Sequence, residues 1–407
     1  MSAITDTHPG PAQRWGFFLA VYALFCAAAA VMGVFRDGPW MAALILLIPA
    51  LVADRNAAST GDLAKRWTHF LSLCALLCLA RLVMGVFTEV PWFTSVIVLT
   101  AAAITEREGG GALDTAKRWA LFLVLFGLLY LFTYVLGIFA DSQWDIKLLL
   151  LGNPDRYVPV LDELVILSTD FDTYFFVLVT LAWQIGYFIA RGSARRGEIM
   201  ARVFHGLGVF FALWHGAGLF VHNWKIFWWP EYEYKIVFIP LAIAFYAAFY
   251  FMGRLYVRMS GEDQRRLMWA FWLALLAVVF TNVIGEDYIK ASVQRHRPLH
   301  EYYQEWNGSV RILKDEIVRG SYSYISGHAS SFFTLLGLYF WVFRQRGIRV
   351  ALLGWAAFHA YTRVYTAAHF PYCTIMGSLF GFAVATMIWF ILVRDRENAR
   401  INFLSGA

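Results

Sequence analysis

Thr362-Arg363-Val364-Tyr365-Thr366-Ala367-Ala368-His369-Phe370-Pro371 lies between two apolar runs, near residues 348–362 and 373–393. It places a guanidinium and an imidazole six positions apart, where one long apolar segment ends. Two other short stretches stand in the same kind of place: Lys290-x6-Arg297-Pro298, and Ser326-Gly327-His328. All three can therefore meet on one face of a membrane. Together they bring two imidazoles, two guanidiniums, an ammonium and a Ser-Gly turn. Such groups can hold a phosphoryl group, attack it, and protonate what leaves.

The surrounding composition fits a bilayer. Of the 407 residues, 60% are hydrophobic, 18% aromatic and 15% charged, against roughly 25% charged in a soluble domain. Apolar runs of about 20 residues recur, each enough to cross a hydrocarbon core of about 30 Å. The alternating pattern of a barrel strand is absent, so the spans are expected to be helices, which satisfy their backbone groups internally. The net charge of +6 includes no Lys/Arg-rich block of the kind that binds nucleic acid. Cys26, Cys74, Cys78 and Cys373 offer no plausible pairing. The N-terminus is polar through Gln13 and then enters an apolar segment without a small-residue cleavage site, so that helix is expected to be retained.

The first half repeats itself. Arg14-Trp15, Arg66-Trp67 and Arg118-Trp119 are 52 residues apart, as are Gly33, Gly85 and Gly137, and Trp40, Trp92 and Trp144. A fixed period of this size marks one supersecondary unit used again, here a transmembrane hairpin with Trp at the membrane interfaces. The second runs of the first two units, Trp40–Ala53 and Trp92–Ile104, are short. The third unit departs after Trp144, with Asp145-Ile146-Lys147 and a mixed insert at 141–171 that suits an interfacial helix or partial lid, followed by the apolar run Thr173–Ala190. Arg81 stands where the other two units have Ala29 and Thr133, and reads as a snorkelling side chain.

The second half contains six expected spans, near 201–221, 236–253, 267–285, 328–343, 348–362 and 373–393. The expectation is an all-α polytopic membrane protein of about twelve helices. A repeated-hairpin domain at 1–195 would precede a six-helix bundle at 196–407. Lys and Arg gather in the loops on the N-terminal side, which by the positive-inside rule makes both termini cytoplasmic. All three polar stretches then fall on the opposite face, periplasmic if the membrane is a bacterial inner one.

The three stretches, in this order and at these spacings, resemble the type 2 phosphatidic acid phosphatase superfamily, whose motifs read Lys-x6-Arg-Pro, Pro-Ser-Gly-His and Ser-Arg-x5-His-x3-Asp. The likeness covers about 201–393, and the Ala-Ala-His-Phe-Pro wording is similar to the glucose-6-phosphatase branch. The resemblance implies a six-helix phosphatase bundle that needs no metal and no cofactor. It implies His369 as nucleophile, forming a phosphohistidine, and His328 as the acid that protonates the leaving oxygen. Lys290, Arg297 and Arg363 would hold phosphoryl oxygens, as would Ser326 and the backbone N–H groups at Gly327 and His328, since a helix N-terminus binds anions.

Three positions depart from the pattern: Ile325 replaces Pro, Thr362 replaces Ser, and Cys373 replaces the Asp that orients the nucleophilic His. The last raises the question of what holds the second ring nitrogen of His369. Glu286 and Asp287, ending the span that leads to Lys290, are candidates. His359, four residues before Arg363 and on the same helix face, is expected to support the site. His205, His215 and His222 read as structural, and Trp228-Trp229 with Tyr232 and Tyr234 as an interfacial belt. Asn307-Gly308-Ser309 forms a glycosylation sequon on the far-side loop.

Three functions stay open on the sequence. One is a membrane phosphatase acting on a lipid phosphate or diphosphate. Another is a phosphotransferase passing the group to a second lipid or sugar. The third is a lipid-phosphate binding or transport protein with weak chemistry.

Overall fold

A computed structural model describes residues 111–140, 143–158, 160–162, 164–165, 168, 195–217, 238–303, 308–313, 322–393 and 395–402. The first two repeat units, Arg81, Cys26, Cys74, Cys78, the run Thr173–Ala190, His222, the Trp228–Tyr234 aromatics and Asn307 lie outside the described residues. The chain divides into two compact units, Met1–Arg107 and Glu108–Ala407. Every described residue belongs to the second.

That unit is helical, with one isolated parallel bridge between Phe343 and Ile401 among the described residues. The α-helices bounded among the described residues are α1 (Gly111–Ile138), α2 (Gln143–Gly152), α3 (Arg196–Ala217), α4 (Phe238–Arg258), α5 (Gly261–Val279), α6 (Asp287–Val293), α7 (Gly327–Val342), α8 (Arg346–Tyr365), α9 (Pro371–Met387) and α10 (Arg396–Ala399). Two wider π-helical stretches, Phe280–Glu286 and Ile388–Leu392, continue α5 and α9. The described parts of the six expected second-half spans fall on helices, while 218–221 and 236–237 lie outside the described residues. By length and composition, three helical runs among the described residues can cross a membrane: Lys117–Ile138, Gly261–Val293 and Pro371–Leu392. α7, with 16 residues, reaches only roughly 24 Å, and α8 carries Arg346, Arg349 and Arg363. Leu121, Val124, Leu128, Leu131 and Phe132 on α1 are at least half exposed, an apolar face suited to lipid.

Local chemistry fixes where the helices begin. Ser260 caps α5 by accepting the Asp263 N–H at 3.0 Å, and Glu262 and Asp263 pair with Arg266 in the same turn. Carboxylates in a first turn suit the helix dipole, and this charged knot holds the polar end of a long apolar run. α9 opens on Pro371, whose missing N–H costs nothing at a first helical position.

α7 packs between α8, α9 and α5. Its approach to α9 depends on Gly377 and Gly381, a small-xxx-small pair on α9. A Cβ at 377 would sit 2.6 Å from the Ser326 carbonyl oxygen, and one at 381 would overlap that of Ser330. α1 packs on the same bundle. Gly137, the glycine of the third repeat, faces Tyr324, whose ring would lie 2.5 Å from an added Cβ. Tyr324 Oη donates to the Thr133 carbonyl at 2.7 Å. The third repeat is thus pressed against the chain just before Ser326.

The insert after Trp144 begins as the ten-residue α2, passes through an irregular stretch at 153–158, and is helical again at the described positions 161–162, 164–165 and 168. It is pinned to the loop that carries Arg311. Asn153 Nδ2 donates to the carbonyls of Tyr365 and Arg311 at 2.7 and 3.0 Å, and its Oδ1 accepts the Arg311 N–H at 2.8 Å. Arg311 grips Asp162 through both terminal nitrogens, at 2.7 and 2.9 Å, and Tyr365 Oη donates to the same carboxylate.

Candidate active site

The Thr362–Pro371 segment owes its shape to the end of α8. Ala367 adopts a left-handed conformation with φ 53°, which reverses the chain. The Arg363 carbonyl then accepts two N–H groups, from Ala368 at 2.9 Å and from His369 at 3.0 Å. This closed turn fixes His369 against the last turn of the helix that carries Arg363. Both are buried, at 1% and 7% exposure.

The three motifs converge on that turn. Arg297 Nη1 donates to the Ala368 carbonyl at 3.3 Å, and the Ser326 N–H donates to the Cys373 carbonyl at 3.1 Å. Ser326 caps α7, its hydroxyl accepting from Ala329 at 3.5 Å. Gly327 and His328 form the first two helical positions, with Gly327 buried and His328 exposed.

Burial holds His369 well below the ordinary histidine pKa, and the charges of Arg297, Lys290 and Arg363 push it the same way. The imidazole is therefore neutral near neutrality. Its Nδ1 lies 2.8 Å from the Ser323 carbonyl oxygen. A carbonyl only accepts, so Nδ1 carries the proton and Nε2 keeps its lone pair. Burial also lowers the Arg297 pKa, opposed by the charge of Glu286.

The orienting partner of His369 is thus a main-chain carbonyl rather than Glu286 or Asp287. Glu286 is turned elsewhere. It pairs with Lys290, four residues on, and its carboxylate occupies the space that a Cβ on Gly327 would take. Asp287 is exposed. Cys373 is fully buried and accepts from Arg295 Nη1 at 3.1 Å and Ser323 Oγ at 3.4 Å. Ser323 Oγ is also 3.4 Å from His369 Nδ1.

His359 lies beneath His328. Their rings stack with centroids 6.1 Å apart, and Phe332 covers the buried His359 ring at 3.6 Å. His359 Nδ1 is 3.2 Å from Ser168 Oγ, so the insert of the third repeat touches the support of the second motif.

Ser323, Arg295 and Asp145 escape a reading by motif. Arg295 Nη2 pairs with Asp145 Oδ2 at 2.9 Å, with side chains 3% and 0% exposed. The Arg295 guanidinium lies over the Phe370 ring at 4.0 Å. Its pKa is raised: burial alone would lower it, but the facing Cys373 and Asp145 outweigh that.

A neutral imidazole with one nitrogen free, ringed by three cations beside a capped helix N-terminus, can receive a phosphoryl group. Residues 266–397 match the PAP2 superfamily, the superfamily of type 2 phosphatidic acid phosphatases, whose members act on phosphate esters. No curated protein and no solved structure matches the chain.

Proposed function

Starting from a chain whose residues 266–397 form a PAP2 superfamily domain, we propose a membrane phosphatase that hydrolyses a lipid phosphate or diphosphate through a phosphohistidine. The observation that carries this reading is the neutral His369, held through Nδ1 by Ser323 among Lys290, Arg297 and Arg363.

In the first step the Nε2 lone pair attacks phosphorus and the bond to the leaving oxygen breaks. His328 gives that oxygen a proton. In the second step water attacks the phosphohistidine, His328 takes the water's proton, and the P–N bond breaks. Inorganic phosphate leaves and His369 is neutral again. Guanidiniums suit the phosphoryl oxygens because they bind in a fixed fork, and most of the catalysis is positioning and charge stabilisation.

Support for a lipid comes from an apolar cleft of about 490 Å³ between α7, α8 and α9, lined by Phe333, Tyr361, Val364, Pro371, Leu379 and Phe382 among others. Val364 and Pro371 flank the His369 turn, so a headgroup at His369 would have its tail beside apolar walls. The charge asymmetry of the loops favours an active site on the non-cytoplasmic face.

The test is phosphate release by purified full-length protein in detergent with excess EDTA. Phosphatidate, phosphatidylglycerophosphate, a polyprenyl diphosphate and a lipid A phosphate serve as substrates. Release from at least one is expected. Release only after adding a lipid or sugar acceptor would make the protein a transferase. Tight binding without turnover would make it a carrier.

A further inference from the structure

Position 373 holds a thiol, yet a buried carboxylate does reach this layer of the site. It comes from Asp145, in the third sequence repeat and more than a hundred residues before the PAP2 domain begins. Asp145 is fully buried and ties the start of α9, just past the His369 turn, to Arg295 in the loop after α6. Its Oδ1 accepts the Tyr372 N–H at 2.8 Å, just beyond the turn. Its Oδ2 pairs with Arg295 at 2.9 Å.

Arg295 passes the constraint on by two routes. Its carbonyl accepts the Ser323 N–H at 2.7 Å, and the Ser323 carbonyl accepts from His369 Nδ1 at 2.8 Å. Its Nη1 donates to Cys373 Sγ, which also takes the Ser323 hydroxyl. Every link between Asp145 and the imidazole is a hydrogen bond or an ion pair among buried groups. Without the carboxylate, a guanidinium would be left buried beside a neutral thiol, an unfavourable arrangement that it can relieve only by moving. Movement of Arg295 takes the Ser323 carbonyl with it.

We propose that Asp145 is a positioning residue for His369, acting through Arg295 and Ser323, so that the third hairpin repeat supplies part of the catalytic apparatus of the PAP2 domain. This rests on His369 being the nucleophile. The link fixes the Nδ1 proton and the direction of Nε2, and leaves the phosphate-holding cations Lys290, Arg297 and Arg363 in place. Its loss should therefore damage bonding to the imidazole and spare ionic binding of phosphate.

The test uses full-length protein in detergent and two inorganic probes. Orthovanadate can bond to Nε2 as a transition-state analogue, and inorganic phosphate binds by charge. Asp145→Asn should weaken vanadate at least tenfold and lower kcat on the order of 100-fold, the usual scale for a misplaced reacting group. Phosphate affinity and KM should stay within about twofold. Adding Cys373→Asp to Asp145→Asn puts a carboxylate back against Arg295 Nη1 and Ser323 Oγ, and should restore much of both losses.

Equal weakening of vanadate and phosphate would overturn the positioning role and make Asp145 a fold-holding residue. So would a folded double variant with no recovery. If Asp145→Asn alone fails to yield monodisperse protein, the double variant decides between these outcomes. Wild-type protein that binds vanadate but hydrolyses no lipid phosphate would sink the phosphatase reading, while the vanadate-to-phosphate comparison still judges Asp145.

Discussion

The carbonyl oxygen of Ser323 stands 2.8 Å from Nδ1 of His369, so a peptide group fixes the tautomer that frees Nε2. A carboxylate in that place would also stabilise the imidazolium as charge develops. A carbonyl orients without supplying a full negative charge. Here the imidazole is instead surrounded by cations, which favour the neutral, nucleophilic form.

His369→Ala should abolish lipid phosphate turnover and leave phosphate binding largely intact, because Lys290, Arg297 and Arg363 remain. Phosphate release is the direct assay, with equilibrium binding of inorganic phosphate as the control. Near-normal release by the variant would remove His369 from the mechanism.

His328→Ala should slow a lipid phosphate about 100-fold or more while an aryl phosphate loses far less, since an acid matters most to a basic leaving oxygen. The two rate ratios make the measurement. Equal losses would reduce His328 to a wall of the pocket.

The depressed pKa of His369 has two pH consequences. Protonation of His369 should cut kcat/KM only below the ordinary histidine value of about 6.5. The unfolded chain binds this proton more readily than the folded one. Stability linked to His369 is therefore fully present above about pH 6.5 and is lost as pH falls toward the depressed folded value. The Tm of the wild type should fall more steeply than that of His369→Ala between about pH 6.5 and pH 5. Parallel curves would mean that the ring is not buried as a neutral group.

Part of this arrangement was legible in the sequence because it rests on side-chain type and spacing. Lys290, Arg297, Arg363 and His369 were readable that way, and they converge. Ser323 was not, since a carbonyl acceptor leaves no mark on residue identity. Arg295 was overshadowed by Arg297, two residues on. Asp145 acts across 150 residues to Arg295, and its one mark in the sequence is that the third unit leaves the repeat pattern there. The Glu286–Lys290 pair is readable from its four-residue spacing, and it is this pairing, not His369, that takes the carboxylate. The Gly377/Gly381 close approach is also written in the sequence, as two small residues one helical turn apart.

Gly327→Ala should inactivate the protein through Glu286. The added methyl would overlap that carboxylate, and either the start of α7 or the Glu286–Lys290 pair must shift. Shortening the opposing side chain should relieve it. The double variant Glu286→Ala, Gly327→Ala is expected to recover more activity than Gly327→Ala alone. No recovery would indicate that the methyl blocks substrate itself.

Glu286→Gln isolates the charge from the shape. Glu286 lies at the helix N-terminus and on Lys290, two groups that an incoming phosphate also needs, and its field reaches Arg297. An internal anion there competes with the substrate's own. Removing its charge leaves Lys290 and the helix end fully available, so inorganic phosphate should bind more tightly and KM should fall. Product should then leave more slowly, so kcat should not rise with the affinity. Asp287→Asn, at an exposed neighbour, should change neither constant. Weaker phosphate binding by Glu286→Gln would reverse the interpretation. Glu286 would then be what holds the Lys290 ammonium in the cradle, and its loss would let that long side chain swing away.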